Sequence, residues 1–316
     1  MPASAALPDR GRRPDFSTAL LVAAYLLFAP SPFLLLPLCL LLLFSRPASL
    51  WEWAWLVLAG LGTALTVVGL PPERLPERLT AAGAVTAGAL FAVQALLGIS
   101  GRAFSRALIA LGVAALAVLG WSLTSGMTAG QLDAVLTADL ASMVDRMFLQ
   151  AAPDQLAAAR RFAEITVYLF PGFLAIQGLA GLMLAWAWYG RIARRPFGPA
   201  AGRFRDFRFN DHLIWGAIFT LALALLPVPG SIARGAHNLL VFWLGIYAGR
   251  GAAVVVTAVA GWPFPGKILL VTLSFLALPF AAGGTVALGL ADTWLDFRTR
   301  RVSAAGGSDA DGSNSP

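Results

Sequence analysis

The sequence predicts an all-α fold: a polytopic transmembrane helical bundle of about eight spans, with one amphipathic extramembrane helical segment. Three observations carry that expectation. Apolar residues fill 58% of the 316 positions and charged residues only 12%, against about 45–50% and about 25% in an ordinary soluble domain. Apolar runs recur at the length that crosses a bilayer, about 20 residues for about 30 Å. Basic residues cluster beside those runs, as at the cytoplasmic ends of membrane helices. A formal charge of +7 would suggest nucleic acid in a soluble chain; beside apolar spans it is assigned to the lipid bilayer, and no nucleic-acid partner is expected.

Residues 1–16 form a basic N-terminal segment in which Arg10, Arg12 and Arg13 precede an apolar stretch. That order imitates a secretory signal. No small-x-small cleavage site follows, and the apolar character resumes through Leu43 past Pro30, Pro32 and Pro37, so an uncleaved first span is expected. The expected spans are 17–44, 51–69, 79–97 and 106–124 among the N-terminal membrane helices (17–124). The C-terminal group (165–301) holds 165–189, 212–228, 238–260 and 268–291. The first is one kinked helix or two short segments, because proline strands a carbonyl that neighbours must satisfy. The sixth is the shortest, and Pro279 with Gly283 and Gly284 predicts a kink in the last.

Between the two groups lies the extramembrane segment 125–164. Leu132, Val135, Leu136, Leu140, Met143, Met147 and Phe148 recur at helical spacing with Asp133, Asp139, Asp145 and Arg146 off that stripe, which reads as an amphipathic helix. Pro153 and Asp154 open a second helix that runs on into the fifth span. Residues 302–316 are poor in bulky apolar side chains and read as a disordered tail. With the N-terminus inside, eight spans place 12 basic residues on one side and 10 on the other, which fixes no orientation. Cys39 is the lone cysteine, so no intrachain disulfide forms.

Arg250 is the most unusual residue, a cation in the middle of the seventh span. It reads either as a ligand or anion site in the bundle interior or as a structural arginine at a break between Gly249 and Gly251. A straight antiparallel hairpin of the last two spans, turning near Pro263, sets Arg250 level with Ala277 and leaves Asp292 roughly 22 Å away, so no direct pair is expected. The same geometry groups Asp292 with Arg234, His237 and Asn238, as a hairpin cap or an entrance. Asp211 and His212 open the sixth span, Asp211 as N-cap. Glu164 precedes the fifth span, and Tyr168, Pro171 and Gly172 mark a break that either exposes carbonyls to a cavity or sets a kink.

In RFRDFRF (203–209), Arg203, Arg205 and Arg208 are assigned to the lipid interface. Small residues at Gly245, Gly249 and Ala253, and at Gly283, Ala287 and Ala291, predict close packing of the last two spans. Two histidines without a third ligand predict no metal site. With no nucleophile–base pair either, neither a cofactor nor enzymatic chemistry is expected.

The order FRFNDHLIW, GAHNLLVFWLGIYAGRGAAVV and LGLADTWLDFR resembles the YybS-like family of uncharacterised bacterial multi-pass membrane proteins over about residues 204–298. Asp211, His212, Trp215, Asn238, Tyr247, Gly251, Asp292, Asp296 and Arg298 occupy that family's recurrent positions. Arg250 stands where many relatives carry glutamine. The family is distantly similar to the substrate-binding membrane components of energy-coupling-factor transporters and to the cell-shape protein MreD. The resemblance implies a multi-pass protein of the bacterial cytoplasmic (inner) membrane. The leading expectation is a small-molecule ligand bound or moved through a polar pocket built from Arg250, Tyr247, Asn238 and Asp292. The alternative is a non-transporting scaffold that docks a membrane protein partner through segment 125–164 and the basic loop. Either way the chain is expected to pellet with membranes when lysed cells are centrifuged at high speed without detergent; recovery in the supernatant would remove the premise.

Overall fold

The computed structural model describes residues 16–68, 75–99, 101–124, 129–148, 152–199 and 201–297. The basic N-terminal segment, apart from its last residue, lies outside the described residues, as do Arg298 and the tail 302–316. Regular structure among the described residues is helical throughout. In order come α1 (Phe16–Phe28), α2 (Pro32–Phe44), α3 (Leu50–Val68), α4 (Leu75–Leu96), α5 (Ala103–Thr124) and α6 (Ala129–Met147). They are followed by α7 (Pro153–Tyr168), α8 (Phe170–Ile192), a 3-10 turn (Phe204–Asp206), α9 (Leu213–Leu225), α10 (Gly230–Ala258), α11 (Phe264–Leu276) and α12 (Leu278–Leu295).

Among the described residues five helices, α3, α4, α5, α8 and α10, are long and apolar enough to cross a membrane. Helices α11 and α12 meet that test only together, and they are bent by 109° at their junction. The first expected span is two helices of 13 residues each, and the sixth is the 13-residue α9. The chain divides into two compact units: one from residues up to Asp139 together with Gln177–Ala201, the other from Leu140–Ile176 together with residues from Gly202 onward.

In the first unit α2 packs against both α3 and α4, and α4 against α5. Helix α2 is apolar all round, PFLLLPLCLLLLF, as a helix enclosed by others must be, and Leu34, Leu38, Leu41 and Leu42 are fully buried. Its internal Pro37 fits because α4 presents Gly88: a Cβ there would stand 3.0 Å from the proline ring. Helix α4 otherwise presents alanines, with Ala84, Ala87 and Ala92 fully buried, the small-residue surface that lets helices approach without a hydrophobic driving force. Ser49 and Glu52 form a capping box on α3. The Glu52 carboxylate accepts from the Ala48 and Ser49 amides and the Ser49 hydroxyl, each at 2.9 Å, and the Glu52 amide bonds back to Ser49 Oγ. Its other oxygen accepts the Arg194 amide at 2.8 Å, which ties the chain beyond α8 to the start of α3.

The second unit is arranged around α10, which packs against α9, α12 and the 3-10 turn. The bend between α11 and α12 has a local cause. Pro279 lies in the first turn of α12, where it has no N–H to give and would clash with the carbonyl four residues back in a continued helix. Ala277 accordingly leaves helical geometry, at φ −112° and ψ 41°. The kink expected from Pro279 is therefore a full break, and α12 alone pairs with α10. Their crossing is backbone on backbone: a Cβ on Gly251 would collide with the Thr285 carbonyl oxygen, and one on Gly289 with the Tyr247 carbonyl oxygen. This corrects the expected packing stripes. Gly245 faces Ile176, and a Cβ on Gly283 would meet nothing within 4 Å.

The crossing predicts the outcome of two substitutions. Gly251→Ala should lower stability by about 1–3 kcal/mol through overpacking, whereas Gly283→Ala should be neutral or stabilising by up to about 1 kcal/mol. Thermal unfolding midpoints in one detergent compare the two, and equal effects would contradict the packing.

Candidate functional site

Arg250 lies in the second half of α10 and is 3% exposed. Its Nε donates to Asp292 Oδ2 at 2.9 Å and its Nη2 to the Asp292 carbonyl oxygen at 3.1 Å. Its Nη1 donates to Asp211 Oδ1 at 2.6 Å. Phe209 covers the guanidinium, with its ring centroid 5.3 Å from Cζ. The two carboxylates differ in setting. The Asp292 side chain is fully buried on α12, whereas that of Asp211, just ahead of α9, is 62% exposed. A planar guanidinium can serve both because its N–H groups fan outward in one plane. The result is a clasp on three elements, the α9 entry, α10 and α12, with one positive and two negative charges.

This geometry corrects the expectation that Arg250 and Asp292 stay apart. The straight-hairpin register fails because α11 turns away at Ala277, which brings the Thr285–Asp292 part of α12 alongside Arg250. Asp292 consequently does not join Arg234, His237 and Asn238. Asp211 is likewise on Arg250 rather than capping α9. His212 occupies the cap position without a side-chain cap bond, and the His212 amide donates to Asn210 Oδ1. Tyr247, one turn before Arg250, is 1% exposed and meets Phe209 edge-on at 5.2 Å. Its hydroxyl has no hydrogen-bond partner among the described residues.

Asn238 stands 12 residues before Arg250 on the same helix, about 18 Å along the axis, so the four residues expected in one pocket do not share one. Its amide mends a helix break instead. Leu169 separates α7 from α8, stranding a carbonyl and an amide. Asn238 Oδ1 accepts the Gly172 amide at 2.8 Å, while Nδ2 donates to the carbonyls of Tyr168 at 2.9 Å and Arg234 at 3.0 Å. Around the same break the Tyr168 hydroxyl and His237 Nδ1 share a hydrogen bond of 2.9 Å. Arg234 lies over the Tyr168 ring, 5.5 Å from its centroid.

A cavity of about 550 Å³, wide open at the surface rather than enclosed, lies beside this break, lined by Ile165, Leu169, Leu240, Val241 and Leu244 with Glu164, Tyr168 and His237. Of the arginines assigned to the lipid interface, Arg208 is ion-paired with Asp296 and Arg205 lies 3.8 Å from Asp206. Arg203 precedes the 3-10 turn. No three His, Cys, Asp or Glu side chains among the described residues gather into a set that could hold a metal.

The family described as "Predicted membrane protein (DUF2232)" matches residues 16–293, most of the chain. The chain belongs to this family. No curated protein and no solved structure matches it. The stretch shared with this predicted membrane protein family takes in Asp211, Arg250 and Asp292, as well as the helix break and the cavity beside it. Sequence reasoning found Arg250 from its position in a span and missed its partners. It also missed Arg106 in the first unit, which is 3% exposed and lies over the Trp186 ring.

The clasp sets an order of severity for substitutions. Arg250→Ala leaves the Asp292 carboxylate buried without its cation and should cost about 3–5 kcal/mol, while Arg250→Met combined with Asp292→Leu should recover most of that loss. Asp211→Asn, at an exposed position, should cost about 1 kcal/mol or less. Thermal unfolding in detergent measures all three; a double variant as unstable as Arg250→Ala would contradict the pairing.

Proposed function

We propose that this membrane protein binds a small amphiphilic solute in its second unit, with the cavity beside the α7–α8 break as the site and the Arg250 clasp as its frame. The cavity is the observation that carries the reading. Five aliphatic side chains form an apolar wall, and Glu164, Tyr168 and His237 supply the few polar groups, the usual make-up of a small-molecule site. The wall suits an apolar body and the Tyr168–His237 pair a hydrogen-bonding end. Arg250, ion-paired with two aspartates, serves the site by fixing α10, α12 and the α9 entry rather than by touching solute.

Support of a coarser kind comes from the resemblance of residues 204–298 to the YybS-like family and its distant similarity to substrate-binding membrane components of energy-coupling-factor transporters. Likeness of fold does not fix function, so the weight stays on the cavity. The reading places the protein in a bacterial inner membrane, acting without covalent chemistry. A scaffold is the competing reading, favoured by one observation: α6 leaves Val135, Met143 and Met147 exposed.

Mass spectrometry of small molecules retained by the purified protein in lipid nanodiscs separates the two. Wild type should retain a compound that Leu244→Trp, which fills the cavity, loses at least about tenfold, while Arg250→Lys keeps it. Identical retained sets in wild type and Leu244→Trp, with a stoichiometric protein partner instead, would favour the scaffold.

A further inference from the structure

Arg250 is not the only arginine enclosed by this protein. Arg106, in the first turn of α5, is also 3% exposed. Its guanidinium lies 4.5 Å from the centroid of the Trp186 ring, and Trp186, itself 3% exposed, is backed edge-on by Phe91 at 6.1 Å. There the likeness to Arg250 ends. The Arg106 Nε is buried without a hydrogen-bond partner, and among the described residues no carboxylate pairs with this arginine. A cation taken out of water without a counter-charge is strongly unfavourable, and stacking on one aromatic face offsets only part of that cost.

The surroundings point to what supplies the missing charge. Beside the guanidinium runs the loop backbone at Gly198, whose φ of +70° suits glycine; a Cβ there would lie 3.9 Å from Arg106 Nη2 and 3.7 Å from Trp186. No side chain therefore stands between the loop and the arginine at that point. The Glu52–Arg194 bond and the Arg106–Trp186 stack bring the α2–α3 turn, the start of α5 and the end of α8 to one end of the unit. That end carries Arg46, Arg102, Arg191, Arg194 and Arg195 in addition. Its acid is Glu52, whose carboxylate already accepts four hydrogen bonds. The first turn of α5 adds the positive end of a helix dipole.

We infer that Arg106, stacked on Trp186 at the basic end of the first unit, is a binding site for a phosphate-bearing anion, supplied by an anionic lipid head group or by free phosphate. A planar guanidinium suits two phosphate oxygens at once, and basic recesses between helices at head-group level are where anionic lipids bind. The site is independent of the cavity proposed for solute, so either stands without the other.

The test uses the full chain in phosphatidylcholine–detergent micelles, with the thermal midpoint read as phosphatidylglycerol or inorganic phosphate is added. Wild type should be stabilised. A response to phosphatidylglycerol alone assigns the lipid source, and an equal response to phosphate assigns the free anion. Arg106→Met should abolish the response and, without any anion, unfold no earlier than wild type, because it removes an uncompensated buried charge. A purely structural arginine would instead lower that midpoint. Should Arg106→Met fail to fold, Arg106→Lys keeps the charge but not the fork and should need about tenfold more anion for the same shift. A wild type that responds to neither probe, or variants that respond as wild type does, would overturn the inference.

Discussion

Arg250 and Asp292 meet because two glycines let α10 and α12 approach until backbone touches backbone. In hydrocarbon, helices gain nothing by hiding apolar side chains from lipid, so close packing and polar bonds must hold them together. Gly251 and Gly289 provide the packing, and only at that separation does the Arg250 side chain reach both the carboxylate and the main-chain oxygen of Asp292. The dependence runs in one direction. Without the crossing, Arg250 is a bare cation in the middle of a span, a costly thing to expose to lipid. With it, the same charge locks the register of α12 and, through Asp211, recruits the chain that enters α9.

A second constraint follows from the same solvent. Backbone that leaves helical geometry at membrane depth must find its hydrogen bonds within the protein. At Leu169 the repair comes from Asn238, whose amide accepts from the start of α8 and donates to the end of α7. A repair of this kind holds two helix ends and a third helix at fixed spacing, and the cavity sits in the space so held. The break expected from Pro171 and Gly172 thus comes with a backbone satisfied by Asn238 and an adjoining open pocket.

Much of the architecture was legible because it depends on runs of composition. The second to fifth spans and the seventh are long apolar helices close to where hydropathy placed them. Legibility stopped where register matters. Pro279 announced a kink, but a kink angle has no signature in sequence, and at 109° it takes α11 out of the hairpin, sets Thr285 and Gly289 against Gly251 and brings Asp292, not Ala277, to Arg250. The error in pairing Asp292 came entirely from treating that segment as straight. Arg106 escaped for a different reason. At the start of a span it looks like any flanking arginine, and what sets it apart is enclosure by Trp186, a residue remote in the chain.

The two enclosed arginines together show how counter-charge separates roles that position alone does not. Both are 3% exposed and both lie against an aromatic ring, Phe209 for one and Trp186 for the other. Arg250 has two aspartates, so its charge is paired and used in holding elements together. Arg106 has an aromatic face and a helix N-terminus, neither of which carries a negative charge. A fold that cancels one buried cation and leaves another uncancelled has a reason for the difference. For a cation at the basic end of a bundle, the reason consistent with the cost of burial is an anion from outside the chain.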